Sequence, residues 1–285
     1  MKIGLLGLVA SDWQDVDYNR IRIAAELGFH GVGAHLSVPA NIITDELAAH
    51  VKSVYDDQNM PFLQIWGPYP CIISPDESVR KSGVEGARDI VRLAAGMGVK
   101  ESGVRATSLS PRGDYSVHPD NYKPETQDRL VKSLVEILET AEDLDIDVVL
   151  ETHVTTTLNT AENIRKIIER IGSKRLKINL DPCNFVGDLQ IACNPTPMLH
   201  HIFDLLEEYI ATVHLKDYYT EDRFVVHIAE TVIGTGMMDF ETILQRFNKV
   251  QPDGYVVIEH MPINLIALAK TNLTAKIKAL GIPLG

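Results

Sequence analysis

The sequence has few of the features that mark secreted, membrane-spanning or multi-domain proteins. Its three cysteines, Cys71, Cys183 and Cys193, are too few for a disulfide framework, so we expect a reducing, cytoplasmic environment. No run of residues approaches the roughly 18 apolar positions of a membrane span. Low-complexity tracts and Ser/Gly linkers are also absent, and Met1–Leu8 is typical of a first strand rather than a signal peptide. These absences favour a single domain over residues 1–285 that does not enter a membrane.

Positive charge is also in short supply. The chain has 27 Lys and Arg residues against 39 Asp and Glu residues, which gives a net charge of −12. Such a balance does not attract the phosphate backbone of a nucleic acid. We therefore expect a small-molecule substrate and no nucleic-acid partner, and assembly into a homo-oligomer is compatible with this composition. With 45% hydrophobic residues, the chain can bury a large core.

Short strand-like apolar runs alternate eight times with longer helical ones, a pattern typical of parallel strands joined by helical crossovers. The predicted strands are Lys2–Leu8, Gly31–Leu36, Phe62–Trp66, Lys100–Arg105, Asp147–Glu151, Leu176–Asp181, Thr212–Lys216 and Tyr255–Glu259. The predicted helices are Arg20–Leu27, Asp45–Tyr55, Val79–Met97, Thr126–Leu144, Ala161–Ile171, Met198–Tyr209, Phe240–Phe247 and Leu265–Leu280.

Loop lengths separate the two folds that this alternation allows. A doubly wound sheet usually has a glycine-rich phosphate turn after its first strand, and Val9–Trp13 lacks one. Connections from helix to strand are short, whereas those from strand to helix are long, as in Ala106–Pro124 and Tyr218–Asp239. Elaborate loops at the carboxyl ends of the strands are typical of a (β/α)₈ TIM barrel, which has its active site there. We therefore predict an α/β fold of this type.

Four predicted strands end in side chains that can bind a cation: Glu151, Asp181, His214 and Glu259. Their spacings of 30, 33 and 45 residues each span one strand–helix unit, so consecutive strands of a closed barrel would bring them together. Three carboxylates and an imidazole repel one another or hold protons unless a cation neutralises them. Mostly oxygen ligands with one nitrogen favour Mn²⁺, Mg²⁺ or Co²⁺, and Zn²⁺ also accepts this set.

These strand ends resemble those of the xylose-isomerase-like TIM-barrel superfamily, which includes sugar phosphate isomerases and epimerases, ketose 3-epimerases, inosose dehydratases and endonuclease IV. The motifs that carry the resemblance are Asp181–Asn184, His214–Asp217 and Gly234–Phe240, together with the two strand-end glutamates. In the ketose 3-epimerases, the matching carboxylates and histidine bind the metal. The resemblance therefore implies Glu151, Asp181, His214 and Glu259 as metal ligands, Mn²⁺ as the favoured ion, and Glu151 and Glu259 as catalytic proton carriers.

Two departures from the family pattern narrow the function. Many members have His where this chain has Asn184, and an amide is better suited to orient a substrate than to bind metal. The nuclease branch needs further histidines, but Gly67–Pro70 at the third strand end has none. Stepwise hydrolysis of phosphodiesters is therefore disfavoured.

Six residues are candidates for substrate binding, and five of them have a structural alternative. Lys216 and Arg105 suit an oxyanion but equally suit ion pairs with nearby carboxylates. Trp66 could floor a sugar pocket or simply pack in the core, and His153 could be a hydrogen-bonding residue of the rim. Asn184 could orient the substrate through hydrogen bonds. His227 lies in a long loop, where it could reach the substrate or simply be exposed to solvent.

The sequence thus predicts a divalent-metal-dependent isomerase or epimerase of carbohydrate metabolism, acting on a small ketose or related polyol carbonyl compound. One glutamate would remove a proton beside the carbonyl to give a cis-enediolate, and the other would return one. An inosose-type dehydratase, which uses the same ligands but expels a hydroxyl, is the alternative. A barrel that binds sugar without turnover is a weaker one, since both glutamates are present.

Overall fold

The computed structural model describes all residues 1–285 and has a closed barrel of eight parallel strands at its centre. The strands in chain order are β1 (Lys2–Leu6), β2 (Gly31–His35), β3 (Phe62–Trp66), β4 (Glu101–Arg105), β5 (Asp147–Glu151), β6 (Leu176–Leu180), β7 (Ile210–Leu215), β8 (Asp217–Thr220), β9 (Ile228–Thr231) and β10 (Tyr255–Ile258). The barrel closes in the order β1-β10-β7-β6-β5-β4-β3-β2, while β8 and β9 form a separate antiparallel pair. The predicted (β/α)₈ fold is confirmed.

Helices surround the barrel and follow its strands. They are α1 (Tyr18–Glu26), α2 (Asp45–Asp56), α3 (Glu77–Gly96), α4 (Pro124–Asp143), α5 (Ala161–Ile171), α6 (Leu189–Cys193), α7 (Thr196–Leu206), α8 (Phe240–Val250) and α9 (Ile266–Ala279). Local sequence fixes many of their ends. The Asp76 carboxylate accepts from the Ser78 and Val79 amides and begins α3, and left-handed Gly172 ends α5. None of these helices is long and apolar enough to cross a membrane.

Side-chain alternation along the strands divides the core into two parts. The outward-facing residues pack against the helices in a large apolar cluster of 70 buried residues. The inward-facing residues include a small apolar cluster of Leu6, Trp66, Val149 and Val257. Because strand side chains alternate with a period of two, polar residues at alternate positions are carried into the barrel and up to its carboxyl-terminal rim.

The main difference from the sequence prediction lies in Tyr218–Asp239, which we expected to be a loop. Its first half forms the β8–β9 hairpin, with the connecting residues 221–227 at the tip. Strand β7 stops at Leu215, and β8 begins only two residues later at Asp217. Strand β1 is also shorter than predicted, because Gly7 has a φ of 95° and turns the chain away from the barrel.

Candidate active site

A cavity of about 250 Å³ opens at the carboxyl-terminal end of the barrel strands. Charged and polar side chains line most of it, with Trp66 and Tyr115 as its aromatic surfaces. A larger groove of about 590 Å³ lies outside the barrel between α2 and α3, but there Asp56 and Asp89 are paired with Lys52 and Arg92. The rim cavity is smaller than the roughly 300–1,000 Å³ typical of sites for drug-sized ligands, and therefore suits a small polar one.

Glu151 and Glu259 line this cavity, and His214 lies directly beside them. One potential ligand atom from each lies within 4.8 Å of the others, and all three side chains are buried. Glu151 is the last residue of β5, His214 faces inward from β7, and Glu259 directly follows β10. The structure thus brings together three of the four predicted ligands. His214 Nδ1 lies 3.2 Å from Glu259 Oε2.

The fourth predicted ligand, Asp181, lies beside this group and contacts Lys216. The Lys216 ammonium is 2.7 Å from Asp181 Oδ2 and 3.1 Å from Glu259 Oε2. Asp181 Oδ1 accepts from the Cys183 amide, whereas buried Oδ2 has no hydrogen bond, so its contact with the ammonium is an ion pair without hydrogen-bond alignment. Lys216 therefore links Asp181 to Glu259 across the cavity floor.

The donor set fits a divalent cation. Three ionised carboxylates with only Lys216 between them would leave two negative charges uncompensated in a buried site, and a divalent ion balances that excess. The buried Oδ2 of Asp181 faces the Lys216 ammonium without an aligned hydrogen bond, so it has a lone pair left for a cation. Three carboxylates and one imidazole are the ligands that Mn²⁺, Mg²⁺ and Zn²⁺ accept in proteins.

The two glutamates have opposite electrostatic environments. Burial raises the pKa of Glu151, and the nearby Glu259 charge raises it further. Burial opposes ionisation of Glu259 too, but His214 and Lys216 outweigh it and hold the pKa of Glu259 well below its usual value. Lys216 stays charged because Asp181 and Glu259 outweigh its own burial and raise its pKa. One carboxyl group is therefore poised to hold a proton while its neighbour remains ionised.

Tyr115 is a site residue that the sequence analysis did not single out. It belongs to the long loop after β4, and its phenol donates a hydrogen bond to Glu151 Oε2. Its ring packs against His153, with the ring centroids 5.2 Å apart. The long loop Ala106–Pro124 therefore reaches the cavity through this one side chain. A tyrosine in a long loop has no spacing signal, so only the folded loop places it.

Four of the six predicted substrate-binding residues line the cavity besides Lys216. Asn184 donates to the backbone oxygen of Thr152 over 3.2 Å, and Arg105 lies 3.3 Å from the Asp114 carboxylate. Trp66 is almost fully buried, so it packs in the core and also borders the cavity. Burial lowers the pKa of His153, which favours its neutral form.

His227 is the exception among these residues. It is exposed at the tip of the β8–β9 hairpin, where its Nδ1 lies 3.3 Å from Arg223 and away from the cavity lining. The hairpin instead contributes Glu230, which pairs with His260 over 2.9 Å at the cavity mouth. His260 has a left-handed backbone with a φ of 56°, which turns its side chain towards the hairpin just after Glu259.

The contacts of Asp217 explain why glycines stand at positions 234 and 236. Its carboxylate accepts hydrogen bonds from four backbone amides, those of Tyr218, Gly234, Gly236 and Met238, over 2.8–3.1 Å. A Cβ on Gly236 would lie 2.3 Å from the Tyr218 carbonyl oxygen, so only glycine fits there. The base of the hairpin is thereby tied to the end of β7, directly beside Lys216.

A closed (β/α)₈ barrel with a buried cluster of carboxylates and one imidazole at its strand ends defines the class of protein. A family model described as the xylose isomerase-like TIM barrel matches residues 21–276. The chain therefore belongs to the xylose isomerase-like TIM-barrel family, as the strand-end motifs predict.

Solved structures of similar fold cover nearly the whole chain. A D-tagatose 3-epimerase-like protein is 22% identical, with a TM-score of 0.77 and coverage of 99% of this chain and 98% of that one. The 3-keto-D-glucoside 4-epimerase of E. coli, in its apo form, is 21% identical, with a TM-score of 0.72 and coverage of 96% and 99%.

A third similar structure is a xylose isomerase-like TIM-barrel protein from Mycobacterium smegmatis in complex with magnesium. It is 18% identical, with a TM-score of 0.72 and coverage of 98% of this chain and 96% of that one. A comparison with curated proteins finds no significant match. At these identities the likeness establishes the shared fold.

Proposed function

We propose that the protein is a divalent-metal-dependent epimerase or isomerase of a small ketose or a related polyol carbonyl compound. The observation that carries this proposal is the pair of buried glutamates, Glu151 and Glu259, whose carboxylates lie together with His214 within 4.8 Å of one another. Such a pair is suited to moving a proton off and onto carbon at neutral pH. The names of two neighbours of similar fold, a 3-epimerase-like protein and a 4-epimerase, support the same reaction class.

Glu151, Asp181, His214 and Glu259 would hold the cation, with Mn²⁺ as the favoured ion. When bound, the ion would polarise the substrate carbonyl and acidify the adjacent C–H bond. The four residues come from consecutive strands of the barrel wall, so the rigid sheet fixes their relative positions. Asn184 and Lys216 line the same cavity, with Lys216 Nζ 3.4 Å from Asn184 Oδ1, and would orient the substrate hydroxyl groups.

Glu259 would remove the proton from the carbon beside the carbonyl, because His214 and Lys216 keep it ionised. The electron pair of the broken C–H bond would move into the carbonyl group and give an enediolate. Glu151, the second carboxyl group of the site, would return to that enediolate a proton taken up from solvent. Return to the opposite face of the same carbon gives the epimer, and return to the neighbouring carbon gives the isomer. Exchange with solvent would restore both carboxyl groups.

Tyr115 would support the Glu151 step. Its hydroxyl donates to Glu151 Oε2 and so stabilises the ionised form that remains after proton transfer. Its ring also covers one side of the cavity, and excluding water there protects the enediolate from protonation by bulk solvent.

The test is turnover in D₂O by metal-stripped protein reloaded with MnCl₂, with D-tagatose, other ketoses and an inosose as substrates. Deuterium at the carbon beside the carbonyl in an epimeric or isomeric product supports the proposal. An enone-type product with net loss of water would assign the dehydratase reaction instead. If no substrate exchanges or turns over with Mn²⁺, Mg²⁺ or Co²⁺, the proposal is wrong and a sugar-binding barrel without turnover becomes the better explanation.

The metal content of the purified protein provides a second, independent test of the proposal. Asp181→Ala should reduce the Mn²⁺ bound per chain, since the substitution removes a predicted ligand and leaves Lys216 to pair with Glu259 alone. Unchanged metal content in Asp181→Ala would remove this residue from the metal site.

A further inference from the structure

Three polar side chains lie inside the barrel beneath His214, at a depth that branched apolar residues usually fill. They are Gln64 on β3, Glu101 on β4 and Thr212 on β7. Gln64 is only 1% exposed and Thr212 is 3% exposed. Such groups are costly to bury unless they are hydrogen-bonded, and each of these is. They form a continuous chain from the base of the barrel to a predicted metal ligand.

The orientation of the Gln64 amide is fixed at both ends. Trp66 Nε1–H can only donate, and the Gln64 atom that accepts from it over 3.1 Å must be the carbonyl oxygen Oε1. At the other end, Nε2 of Gln64 donates to Glu101 Oε2 over 2.6 Å. A flipped amide would set N–H against N–H at Trp66 and oxygen against oxygen at Glu101, so both contacts select the same orientation.

This orientation determines which nitrogen of His214 bears a proton. His214 Nε2 lies 3.0 Å from Gln64 Oε1, an acceptor that has no hydrogen to offer. Nε2 must therefore be the protonated nitrogen, and a ring with a single proton then has its lone pair on Nδ1. Nδ1 lies 3.2 Å from Glu259 Oε2, so without a metal this side of the ring is hydrogen-bonded to the carboxylate, and a bound cation would take the place of that hydrogen.

We propose that Gln64, held by Glu101, is a positioning residue that fixes the ring of His214 as its Nε2–H tautomer and so directs the Nδ1 lone pair at the cation. This inference rests on the metal site of the proposed function. It concerns residues that do not touch the substrate cavity, since neither Gln64 nor Glu101 lines it.

Glu101 anchors the chain from below. Its Oε2 accepts from Gln64 and also from Thr212 Oγ1 over 2.9 Å. The carboxyl group borders a second cavity of about 220 Å³ at the opposite end of the barrel, together with Lys100 and Tyr255. An ionised Glu101 would polarise the Gln64 amide, which makes Oε1 a stronger acceptor and the imidazole a stronger ligand. The outer partner of a metal-binding histidine is commonly a carboxylate that accepts directly from the ring. Here the Gln64 amide lies between the Glu101 carboxylate and His214.

The first test is Mn²⁺ titration of metal-stripped protein by calorimetry. Gln64→Leu should weaken Mn²⁺ binding by about 10- to 100-fold, the usual effect of removing such an outer partner. Glu101→Gln should weaken it less, because Gln64 still faces His214. Ser102→Ala is the control. It removes a buried hydroxyl from β4, the strand of Glu101, and this hydroxyl has no hydrogen-bond partner. Wild-type affinity in a folded Gln64→Leu protein would overturn the proposal.

A second measurement on the unsubstituted protein covers the case in which Gln64→Leu does not fold. Two-bond ¹H–¹⁵N spectra of histidine-labelled protein loaded with Zn²⁺, which is diamagnetic, report which ring nitrogen bears the proton when a cation is bound. His214, assigned through the signal lost in His214→Asn, should be the Nε2–H form, and an Nδ1–H form would overturn the proposal. If the unsubstituted protein binds neither Mn²⁺ nor Zn²⁺, the proposed function fails together with this inference, whereas bound metal with an Nδ1–H ring overturns this inference alone.

Discussion

The two glutamates of the cavity stand on walls of opposite electrostatic character. On the β5 wall, formed by Glu151, Tyr115 and Asn184, the groups that face the carboxyl are neutral donors. On the β7–β10 wall, formed by His214, Lys216 and Glu259, they are an imidazole and an ammonium. Equal burial therefore has unequal results: the pKa of Glu151 rises and that of Glu259 falls. The neighbours, rather than the depth of burial, decide which carboxyl keeps a proton.

The difference follows from the barrel geometry. Inward-facing positions of β7 alternate, so His214 and Lys216 point into the same interior two residues apart. Both reach Glu259, because β7 and β10 are adjacent strands and His214 is in register with Val257. Glu151 lies on β5, two strands away from β7, and receives its closest partner from a loop instead.

The largest expected effect is on turnover. Glu151→Gln and Glu259→Gln should each lower the rate by about 10²–10⁴-fold, the usual contribution of a positioned acid or base. Gln keeps the size of Glu but cannot carry the proton. Steady-state rates and deuterium incorporation measure this. If one variant retains the wild-type rate, the two walls do not share the proton transfer.

Removing the Lys216 ammonium group from the β7–β10 wall should have the next largest effect. Lys216→Met leaves Asp181 and Glu259 buried without their shared partner, and losing one member of a buried pair costs about 3–5 kcal/mol. Urea unfolding of metal-free protein measures the loss, and Mn²⁺ should restore part of it. Lys249→Met is the matched control, because Lys249 is exposed on α8. Equal stabilities for the two variants would contradict the role of Lys216.

The two glutamates should change the stability of the protein in opposite directions as pH rises. Glu151 has a raised folded pKa, so the metal-free protein loses stability as pH rises through that value, and Glu151→Gln removes this loss. Glu259 has a lowered pKa, so its stabilisation is present above the unfolded pKa and disappears as pH falls through the folded one.

At pH 8 in the presence of EDTA, Glu151→Gln should therefore be more stable than wild type and Glu259→Gln less stable. Both differences should shrink as pH is lowered. Urea midpoints at several pH values measure them, and differences of the same sign at pH 8 would refute the contrast between the walls.

The smallest expected effect concerns the neutral donor of the β5 wall. Tyr115→Phe removes the hydrogen bond to Glu151 and should lower turnover by about 10- to 150-fold, since a hydrogen bond to a charged group is worth about 1.5–3 kcal/mol. Tyr122→Phe is the control: it lies in the same loop but donates to the Val154 carbonyl oxygen, outside the cavity. A similar decrease in both variants would indicate a general effect of the loop.

Most of the fold could be predicted because buried strands and amphipathic helices have different periods. The strand-end residues were recognisable for the same reason: Glu151 interrupts an apolar strand where a carboxyl group needs a partner. Gln64 and Glu101 also interrupt predicted strands but were not singled out from the sequence, and the structure shows that they are hydrogen-bonded to each other. Their partners were hidden because contacts between strands depend on register.

Loop positions could not be predicted in this way. Tyr115 reaches Glu151 only because the chain after β4 folds back over the cavity. His227 was predicted from its place in a long loop, but the β8–β9 hairpin puts it at an exposed tip. The base of the hairpin is held by the Asp217 carboxylate, which accepts hydrogen bonds from backbone amides up to 21 positions away. No local pattern encodes such distant pairings.

The Asp217 anchor has a consequence for how this barrel can diversify. Because the four amide contacts close the base of the hairpin, residues 221–227 at its tip are decoupled from the barrel. Phe224 there is fully exposed, and Val225 is 74% exposed. The tip is therefore a natural place for sequence drift and for loop grafting. Exchanging it should leave Glu230 and the other residues of the cavity lining in place.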